Sequence, residues 1–283
     1  MRIKLGLLIF IMSTSLAFSQ GNQLWQKQSI SKNTSIKSSK QNLPQTNLFS
    51  LNLEDMKVAL VDAPKRALNS RASNVILSFP NSEGKFENFR IIEASVLSPE
   101  LQARYPDIRS YAGQGIEDPS AIIRFSISPL GFQSMRISGN QPASFIEVYS
   151  DDLSQYVVFK RADKTDFAND FECSVTESVN RAMNSGTGMR NADDSILRTY
   201  RLAVSATGEY TAYHGGTKAL ALAAIVNTMT RVNGIFEVDF NVTMELIGNT
   251  DAVIYTSTSS DPYGNTTSGY NSALQSTLSS VIG

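Results

Sequence analysis

Cysteine and histidine, the side chains most often used as metal ligands, nucleophiles and bases, each occur once in this 283-residue chain, as Cys173 and His214. A single cysteine permits no intramolecular disulfide, and one residue of each type cannot build a Cys/His zinc knuckle. A histidine-based catalytic triad would depend on His214 alone. The sequence has no G-x-S-x-G elbow and no glycine-rich phosphate loop after a predicted strand, which argues against a serine hydrolase and against nucleotide binding.

His214 is followed by Gly215 and Gly216, and no cluster of Cys, Asp or Glu surrounds it in the sequence. Metal ligands occur in groups of three or four. An ordinary polar surface residue is therefore the favoured interpretation, and a ligand role is the alternative. Residues 261–265 (DPYGN) predict a turn because proline and glycine fit turn conformations.

The first residues have the pattern of a secretory signal peptide. Arg2 and Lys4 precede an apolar stretch at residues 5–12, and residues 17–19 (AFS) form a small-x-small cleavage sequence. The apolar stretch is shorter than the roughly 20 residues that a membrane span requires. We therefore expect cleavage after Ser19, secretion, and no membrane span in the processed chain.

The composition indicates a folded protein without an evident polyanionic partner. Apolar residues make up 41% of the chain and charged residues 18%, which is enough apolar material for a core. The formal net charge is -1. Nucleic-acid binding normally requires a basic surface, so we expect no nucleic-acid partner.

The next two regions differ in their hydrophobic pattern. Residues 20–73 are rich in polar residues and predict a flexible leader, with one short helix near residues 54–60. Residues 74–162 predict a β-rich, mostly antiparallel domain, in which Ser98-Pro99-Glu100 begins a short helix. The predicted strands are residues 75–79, 86–92, 121–126, 132–138, 145–149 and 156–160.

Residues 163–196 contain few large apolar side chains and many Asn, Ser, Asp, Thr and Gly. This composition predicts a linker accessible to proteases, with Arg181 and Arg190 as plausible cleavage points. An ordinary surface loop is the alternative interpretation.

Residues 197–283 predict a different kind of structure. A strand at 200–206, an amphipathic helix at 217–236 and a strand at 241–247 form a βαβ unit with parallel strands, and residues 252–255 add a further β-prone run. A single unit leaves a sheet edge unpaired and covers one face of its helix, so we expect it to be the beginning of a larger α/β domain. The fold class predicted for the whole chain is α+β.

Two parts of the sequence resemble secreted bacterial reprolysin-like (metzincin) zinc metallopeptidases. Residues 89–94 (FRIIEA), 105–111 (YPDIRSY) and 131–132 (GF) resemble the propeptide of that family. The order of segments then corresponds to a propeptide followed by the start of a catalytic domain.

The second part resembles the first strand, first helix and second strand of the catalytic domain of the same family. It comprises residues 200–210 (YRLAVSATGEY), 232–237 (VNGIFE) and 244–247 (MELI). The resemblance implies a zinc endopeptidase whose H-E-x-x-H-x-x-G-x-x-H motif supplies three zinc ligands and a general base. That motif is absent from residues 1–283, so no catalytic residue is assigned and the chain by itself is expected to be inactive.

The resemblance suggests three roles for Cys173, which lies in FECSVT at residues 171–176. In related zymogens a propeptide cysteine occupies the open position of the zinc, although Ser174 stands where better-known switches have glycine. Thiolates are natural zinc ligands. A disulfide with a cysteine outside this sequence and a structural buried thiol are the alternatives.

Relatives in this family also suggest calcium as a second cofactor. Some of them bind a structural calcium through acidic residues around the sheet, and Glu209 follows the first catalytic strand here. Calcium needs six to eight oxygen ligands. The required partners are not identifiable, so a solvated carboxylate is the favoured interpretation of Glu209.

The sequence therefore leads to two hypotheses. The first is the precursor of a secreted zinc endopeptidase that acts on proteins or peptides, with the β-rich domain serving in cis as inhibitor and folding aid. The alternative is an exported, non-catalytic binding or adhesion module, which explains the scarcity of histidine but leaves the open sheet and the linker unexplained.

Overall fold

The computed structural model describes residues 24–29, 35–66, 73–164, 196–264 and 269–283. The predicted signal peptide, Cys173, Arg181 and Arg190 lie outside these ranges. The strands are β1 (Trp25–Gln28), β2 (Leu48–Leu51), β3 (Ile76–Pro80), β4 (Phe86–Glu93), β5 (Arg109–Gly115), β6 (Ile122–Ser128), β7 (Gly131–Ile137), β8 (Ser144–Val148), β9 (Gln155–Lys160), β10 (Arg198–Leu202) and β11 (Val242–Leu246). The α-helices are α1 (Leu53–Ala59), α2 (Pro99–Arg104), α3 (Gly208–Tyr213), α4 (Lys218–Phe240) and α5 (Tyr270–Thr277).

Nine of the strands form one antiparallel sheet, and the last two form a separate parallel pair. The order in the large sheet is β1-β2-β9-β8-β7-β6-β5-β4-β3. The described residues thus confirm the α+β class and the β-rich character of residues 74–162. All six strands predicted in that region are present, with ends shifted by one or two residues.

Turn chemistry explains why two of the hairpins form where the sequence predicts them. Asn81 closes the β3–β4 turn by accepting from the backbone N–H of Gly84 at 2.9 Å, and Gly84 has a φ of 75°. Between β6 and β7 only two residues separate the paired Ser128 and Gly131. Gly131 has a φ of 90°, and a Cβ there would lie 2.7 Å from Val148 Cγ2. Glycine is required at that position for both reasons.

The prediction that residues 20–73 form a flexible leader is wrong for its described part. Both β1 and β2 belong to the large sheet, and Trp25 is only 2% exposed. Its ring lies 5.3 Å from Phe132 and 5.6 Å from Tyr156, both edge-on. An indole buries a large apolar area, which offsets the entropy of ordering a polar segment around it.

Strand β5 has no counterpart among the predicted strands. Glycine and polar residues weaken its β signal, although its neighbours β4 and β6 are strongly predicted. Close packing requires glycine at position 113, because a Cβ would lie 2.6 Å from Ile91 Cδ1 and 2.7 Å from Ile123 Cγ2. The residue type therefore reflects close packing across three strands, which a single-strand pattern does not reveal.

The βαβ unit predicted in the last region is confirmed. β10 and β11 pair in parallel, from Arg198 opposite Val242 to Leu202 opposite Leu246. The connecting helix α4 begins after Thr217, whose side chain accepts from the backbone N–H of Leu220 at 3.2 Å.

The β-prone run at residues 252–255 adopts a different structure from a regular strand. Residues Thr250–Val253 form a 3-10 helix, and Ile254 makes an isolated parallel bridge with Ala206. The chain here turns sharply onto the carboxyl end of β10, because Asn249 accepts from the backbone N–H of Ala252 at 3.0 Å. The apolar residues of the run are buried by this turn, which accounts for the strand-like pattern.

Candidate functional site

Helix α4 lies between the large sheet and the parallel pair. It contacts β5, β6 and β7 on one side and β11 on the other. Among the described helices, α4 is the one that is long and apolar enough to cross a membrane. Core helices of folded proteins often have the same length and composition. The junction that α4 forms between the two sheets contains the buried charges of Arg124 and Glu147 and is the candidate functional site.

One side of α4 is apolar and completes a second core. Its buried residues pack with the parallel pair and with residues 94–108 of the β-rich region, a segment called here the arm. The residues of this core include Val96, Leu97, Leu101, Ile108, Leu222, Ile225, Val226, Leu246 and Ile254. The two regions of the chain therefore share a hydrophobic core at the arm.

The arm also adds to the sheet formed by β10 and β11. Leu97 pairs in parallel with Leu246 of β11. The backbone N–H of Leu246 donates to the carbonyl of Val96 at 2.7 Å, and Ser98 N–H donates to the carbonyl of Leu246 at 2.9 Å. The free edge of β11, which the sequence predicts to be unpaired, is thus occupied in part by the β-rich region.

Beyond the bridge, the arm continues into the predicted short helix, α2. Ser98 caps it, accepting from the backbone N–H of Leu101 at 3.4 Å. At its other end Arg104 donates to Asp251 at 3.0 Å, and the hydroxyl of Tyr105 donates to the same carboxylate at 3.0 Å. Both ends of α2 are therefore fixed, one by its cap and one by the last region.

Asn233 of α4 provides hydrogen-bond partners for backbone groups at the remaining part of the β11 edge. Its side-chain amide donates to the carbonyl of Met244 at 2.8 Å, and its side-chain oxygen accepts from the N–H of Met244 at 2.9 Å. Asn233 is 1% exposed. The side chain takes the place of a neighbouring strand, because backbone groups at a buried edge need partners.

The side of α4 that faces the large sheet is polar. Asn227 donates to Gln133 at 2.5 Å and accepts from the hydroxyl of Ser126 at 3.4 Å. A Cβ on Gly234 would lie 2.9 Å from both Arg124 Cγ and Met135 Cε, so the helix approaches the sheet closely there. Interfaces rich in polar contacts resemble those of partners that can separate.

Glu147 of β8 anchors the middle of this polar face. It accepts from Arg231 of α4 at 2.7 Å and pairs with Lys40 on its other side. Burial by itself would raise the pKa of Glu147, but the two cations outweigh burial and lower the pKa to about 2. The carboxylate is therefore ionised under all ordinary conditions and links three segments of the chain.

Glu237, in the last turns of α4, forms the second charged contact. Arg66 donates to its two oxygens at 2.7 and 3.0 Å, and Arg124 of β6 lies 3.4 Å away. Burial acts to raise the pKa of Glu237, whereas the two arginines lower it below its usual value. The geometry with Arg66 is bidentate, the form of ion pair that fixes orientation best.

His214 lies at the carboxyl end of α3, half-buried between two tyrosines. Its ring is 4.5 Å from that of Tyr210 and 4.9 Å from that of Tyr213. Burial lowers its pKa below the usual value. No group of three or more His, Cys, Asp or Glu that could hold a metal occurs among the described residues.

The predicted turn at residues 261–265 is described as far as Gly264, and it is fixed to the start of α3. Asp261 accepts from the backbone N–H groups of Gly208 at 2.9 Å and Tyr263 at 3.0 Å. The hydroxyl of Tyr263 donates to Ser205. Glu209, the possible calcium ligand, is exposed in the first turn of α3.

An open, mostly apolar cavity of about 450 Å³ lies at the carboxyl end of β10, beside this turn. The residues that line it are Val204, Ser205, Ala206, Thr207, Tyr210, Ile225, Thr228, Met229 and Tyr270. Clefts at the carboxyl ends of parallel strands are common ligand sites. None of the described lining side chains is acidic or basic. The described part of the cavity could therefore bind an apolar group but provides no charged side chain.

Sequence reasoning did not identify Arg124, Glu147, Asn233 or Glu237. Arg124 and Ser126 alternate with apolar residues along β6, which predicts a polar face exposed to solvent. The face is polar, but α4 covers it and Arg124 is 2% exposed. Asn233 and Glu237 interrupt the apolar pattern of a predicted helix, and that interruption is the signal that could have identified them.

Comparison with known proteins agrees with the resemblance seen in the last region. Residues 196–283 match the metallo-peptidase family M12B reprolysin-like. The match begins just before β10 and covers less than a third of the chain. No curated protein and no solved structure matches significantly.

Proposed function

We propose that the chain is part of the precursor of a secreted zinc endopeptidase of the reprolysin-like type. The observation that carries the proposal is the match of residues 196–283 to that peptidase family. In this proposal residues 197–283 are the N-terminal part of the catalytic domain, and residues 74–162, with β1 and β2, form the propeptide.

The contacts of α4 support a role in cis for the β-rich region. The arm extends the β10–β11 sheet and supplies apolar residues to its core, while the large sheet covers the polar side of α4. A βαβ unit without these contacts would expose a sheet edge and one helix face. The β-rich region would therefore stabilise the unit while the rest of the catalytic domain folds.

The polar character of the large-sheet contact suits a partner that is later removed. Glu147 with Arg231, and Glu237 with Arg124, join the two regions through charges that water can solvate after separation. Fully apolar contacts would leave a large patch exposed on both products. We infer that proteolysis between residues 163 and 196, at Arg181 or Arg190, separates propeptide from peptidase.

Among the described residues no group of three or more His, Cys, Asp or Glu could hold zinc. Zinc in the proposed enzyme would activate water for attack on the peptide bond. The motif of the proposed family supplies three histidines, and the chain contains only His214, which lies between two tyrosines. In the proposal the ligands and the general base belong to a part of the protein outside residues 1–283, and calcium at Glu209 stays a hypothesis.

Cys173 keeps the three roles that the sequence allows. It lies outside the described residues, between the proposed propeptide and β10. Ligation of the zinc in the precursor, a disulfide and a structural thiol are all compatible with its position. Secretion after removal of residues 1–19, and proteins or peptides as substrates, complete the proposal.

The decisive experiment is to read the gene beyond codon 283 and to assay its complete product. We expect the H-E-x-x-H-x-x-G-x-x-H motif within about a hundred further codons, and peptidase activity that a zinc chelator abolishes and added zinc restores. The matched control replaces the glutamate of that motif with glutamine. A gene that ends at codon 283, or a complete product with no chelator-sensitive activity, would overturn the proposal in favour of a binding module.

A further inference from the structure

A cavity of about 360 Å³ opens between the large sheet and the last turns of α4. Strands β4, β5 and β6 contribute most of its lining, together with Arg66 and Ser73. The residues that line it are Arg66, Ser73, Arg90, Ile92, Ala112, Gly113, Gln114, Ile122, Ile123, Arg124, Glu237 and Val238.

The charges around this cavity do not balance. Three arginines line it, against the single carboxylate of Glu237. Arg66 and Arg124 share that carboxylate, whereas Arg90 donates to the backbone carbonyl of Ser73 and forms no ion pair among the described residues. The carboxyl end of α4 adds about half a negative charge, so the walls remain clearly positive.

Arg124 places a buried positive charge beside the cavity. It is 2% exposed, and its Nη1 lies 3.4 Å from Glu237 Oε2 without a hydrogen bond. Burial, together with Arg66, lowers its pKa to about 10, against the opposing effect of Glu237. The guanidinium is therefore charged at neutral pH, and Glu237 compensates its charge only in part because Arg66 holds the same carboxylate.

We propose that this cavity binds a small inorganic oxyanion of the phosphate or sulfate type. An oxyanion with two negative charges matches the surplus of positive charge, and its several acceptor oxygens suit the partly exposed guanidinium groups of Arg66 and Arg90. Arg90 and Arg124 belong to the β-rich region, Arg66 to the segment that precedes it and Glu237 to α4, so the anion would strengthen the junction between α4 and the large sheet.

This cavity shares no lining residue with the cavity at the carboxyl end of β10. A bound anion would act on the stability of the precursor, because a ligand that binds only the folded, assembled state stabilises that state.

The test measures the melting temperature of the 283-residue chain during titration with sodium phosphate or sodium sulfate. Sodium chloride keeps the ionic strength constant, and a buffer that contains no phosphate, sulfate or other oxyanion of its own keeps the pH constant. We expect a rise of about 3 °C at ten times the dissociation constant, which then continues with the logarithm of the phosphate concentration, and calorimetry with phosphate should give one site per chain. The absence of a heat of binding in the unaltered chain, or a rise in melting temperature that is the same in the unaltered chain and in Arg90→Gln, would overturn the proposal.

Two variants test whether the anion binds in this cavity. Arg90→Gln alters a half-buried residue on β4 and should weaken binding about tenfold through loss of a charge-assisted contact. Arg124→Met removes the buried charge at similar volume while Glu237 keeps its bidentate partner Arg66, so the variant should fold and its phosphate response should be lost. The Arg90→Gln result decides the question if Arg124→Met does not fold.

Lys85→Gln is the matched control, since it removes one positive charge from the exposed β3–β4 turn, where Lys85 pairs with Glu83. It should keep the full phosphate response. Loss of the response in Lys85→Gln to the same degree as in Arg90→Gln would show that net charge alone attracts the anion, and would overturn the assignment to the cavity.

Discussion

Asn233 illustrates how one side chain can complete a sheet. A strand edge requires a donor and an acceptor at every second residue, and Asn233 supplies both to Met244 within 3 Å. Replacing it removes two hydrogen bonds and leaves two backbone groups of β11 without partners. The cost of unsatisfied buried groups exceeds the net gain of a typical hydrogen bond.

We expect Asn233→Ala to lower the free energy of unfolding by roughly 3 kcal/mol. Urea unfolding followed by circular dichroism measures the change. Asn271→Ala, at an exposed position of α5, is the control and should stay within about 0.5 kcal/mol of the unaltered chain. Equal effects of the two substitutions would show that the Met244 contacts contribute little.

The charge on Glu147 predicts a dependence of stability on pH. The folded pKa of about 2 lies below the ordinary value of 4.5. Its contribution to stability is therefore complete above about pH 4.5 and is lost as the pH falls toward 2. A difference of this size corresponds to about 3 kcal/mol.

Unfolding of the unaltered chain and of Glu147→Gln between pH 7 and pH 2.5 tests this prediction. The variant should be less stable at pH 7, and the difference between the two proteins should shrink as the pH falls below 4.5. Glu237 titrates in both proteins, so the difference isolates Glu147. A difference that stays constant over this range would contradict the prediction.

At the scale of elements, the close approach of α4 to the large sheet depends on Gly234. Glycine in the middle of a helix costs about 1 kcal/mol relative to alanine, and the compensation here is contact with β6 and β7. A side chain at this position would collide with Arg124 and Met135, of which only the Met135 methyl end can move easily. The spacing between helix and sheet is thus set by a missing side chain.

Gly234→Val should destabilise the chain by about 2 kcal/mol, because overpacking at a tight contact forces the two elements apart. Thermal unfolding measures the loss. Ile235→Val, one residue along and exposed, changes the same helix with another β-branched residue and should have little effect. Retained stability in Gly234→Val would indicate that the helix can tilt away from the sheet at no cost.

At the scale of the whole molecule, the two regions are joined by an apolar contact at the arm and by several charged contacts. The arm places Val96 and Leu97 in the core of the last region, while Glu147 and Glu237 connect α4 to the large sheet. Acidification below about pH 4.5 weakens the charged contacts and leaves the apolar one. The association of the regions should therefore depend on pH.

Cleavage of the full chain at a protease site engineered between residues 165 and 195 tests this expectation. The two pieces should elute together from a gel-filtration column at pH 7 and separate progressively as the pH falls toward 3. The substitution Arg231→Glu, which places two carboxylates together, should cause partial separation already at pH 7. Pieces that separate fully at pH 7 in the unaltered sequence would contradict the proposed role in cis.

The sequence determined the local structure of this protein because local structure depends on neighbouring residues. Alternation and turn residues predicted the hairpins of the large sheet, the Ser98 cap predicted α2, and apolar spacing of three and four predicted α4. The order strand, helix, strand was enough to predict that β10 and β11 are parallel, because a crossover connection of this kind allows few topologies. The resemblance to the peptidase family was also present in the residues alone.

Tertiary structure decided which of those surfaces meet. The place of Trp25 in the aromatic core, the addition of the arm to β11 and the burial of Arg124 under α4 all join residues far apart in the chain. A polar strand face has the same alternating pattern whether water or a polar helix covers it. Only the positions of both partners show that these charges lie at a junction rather than in solvent.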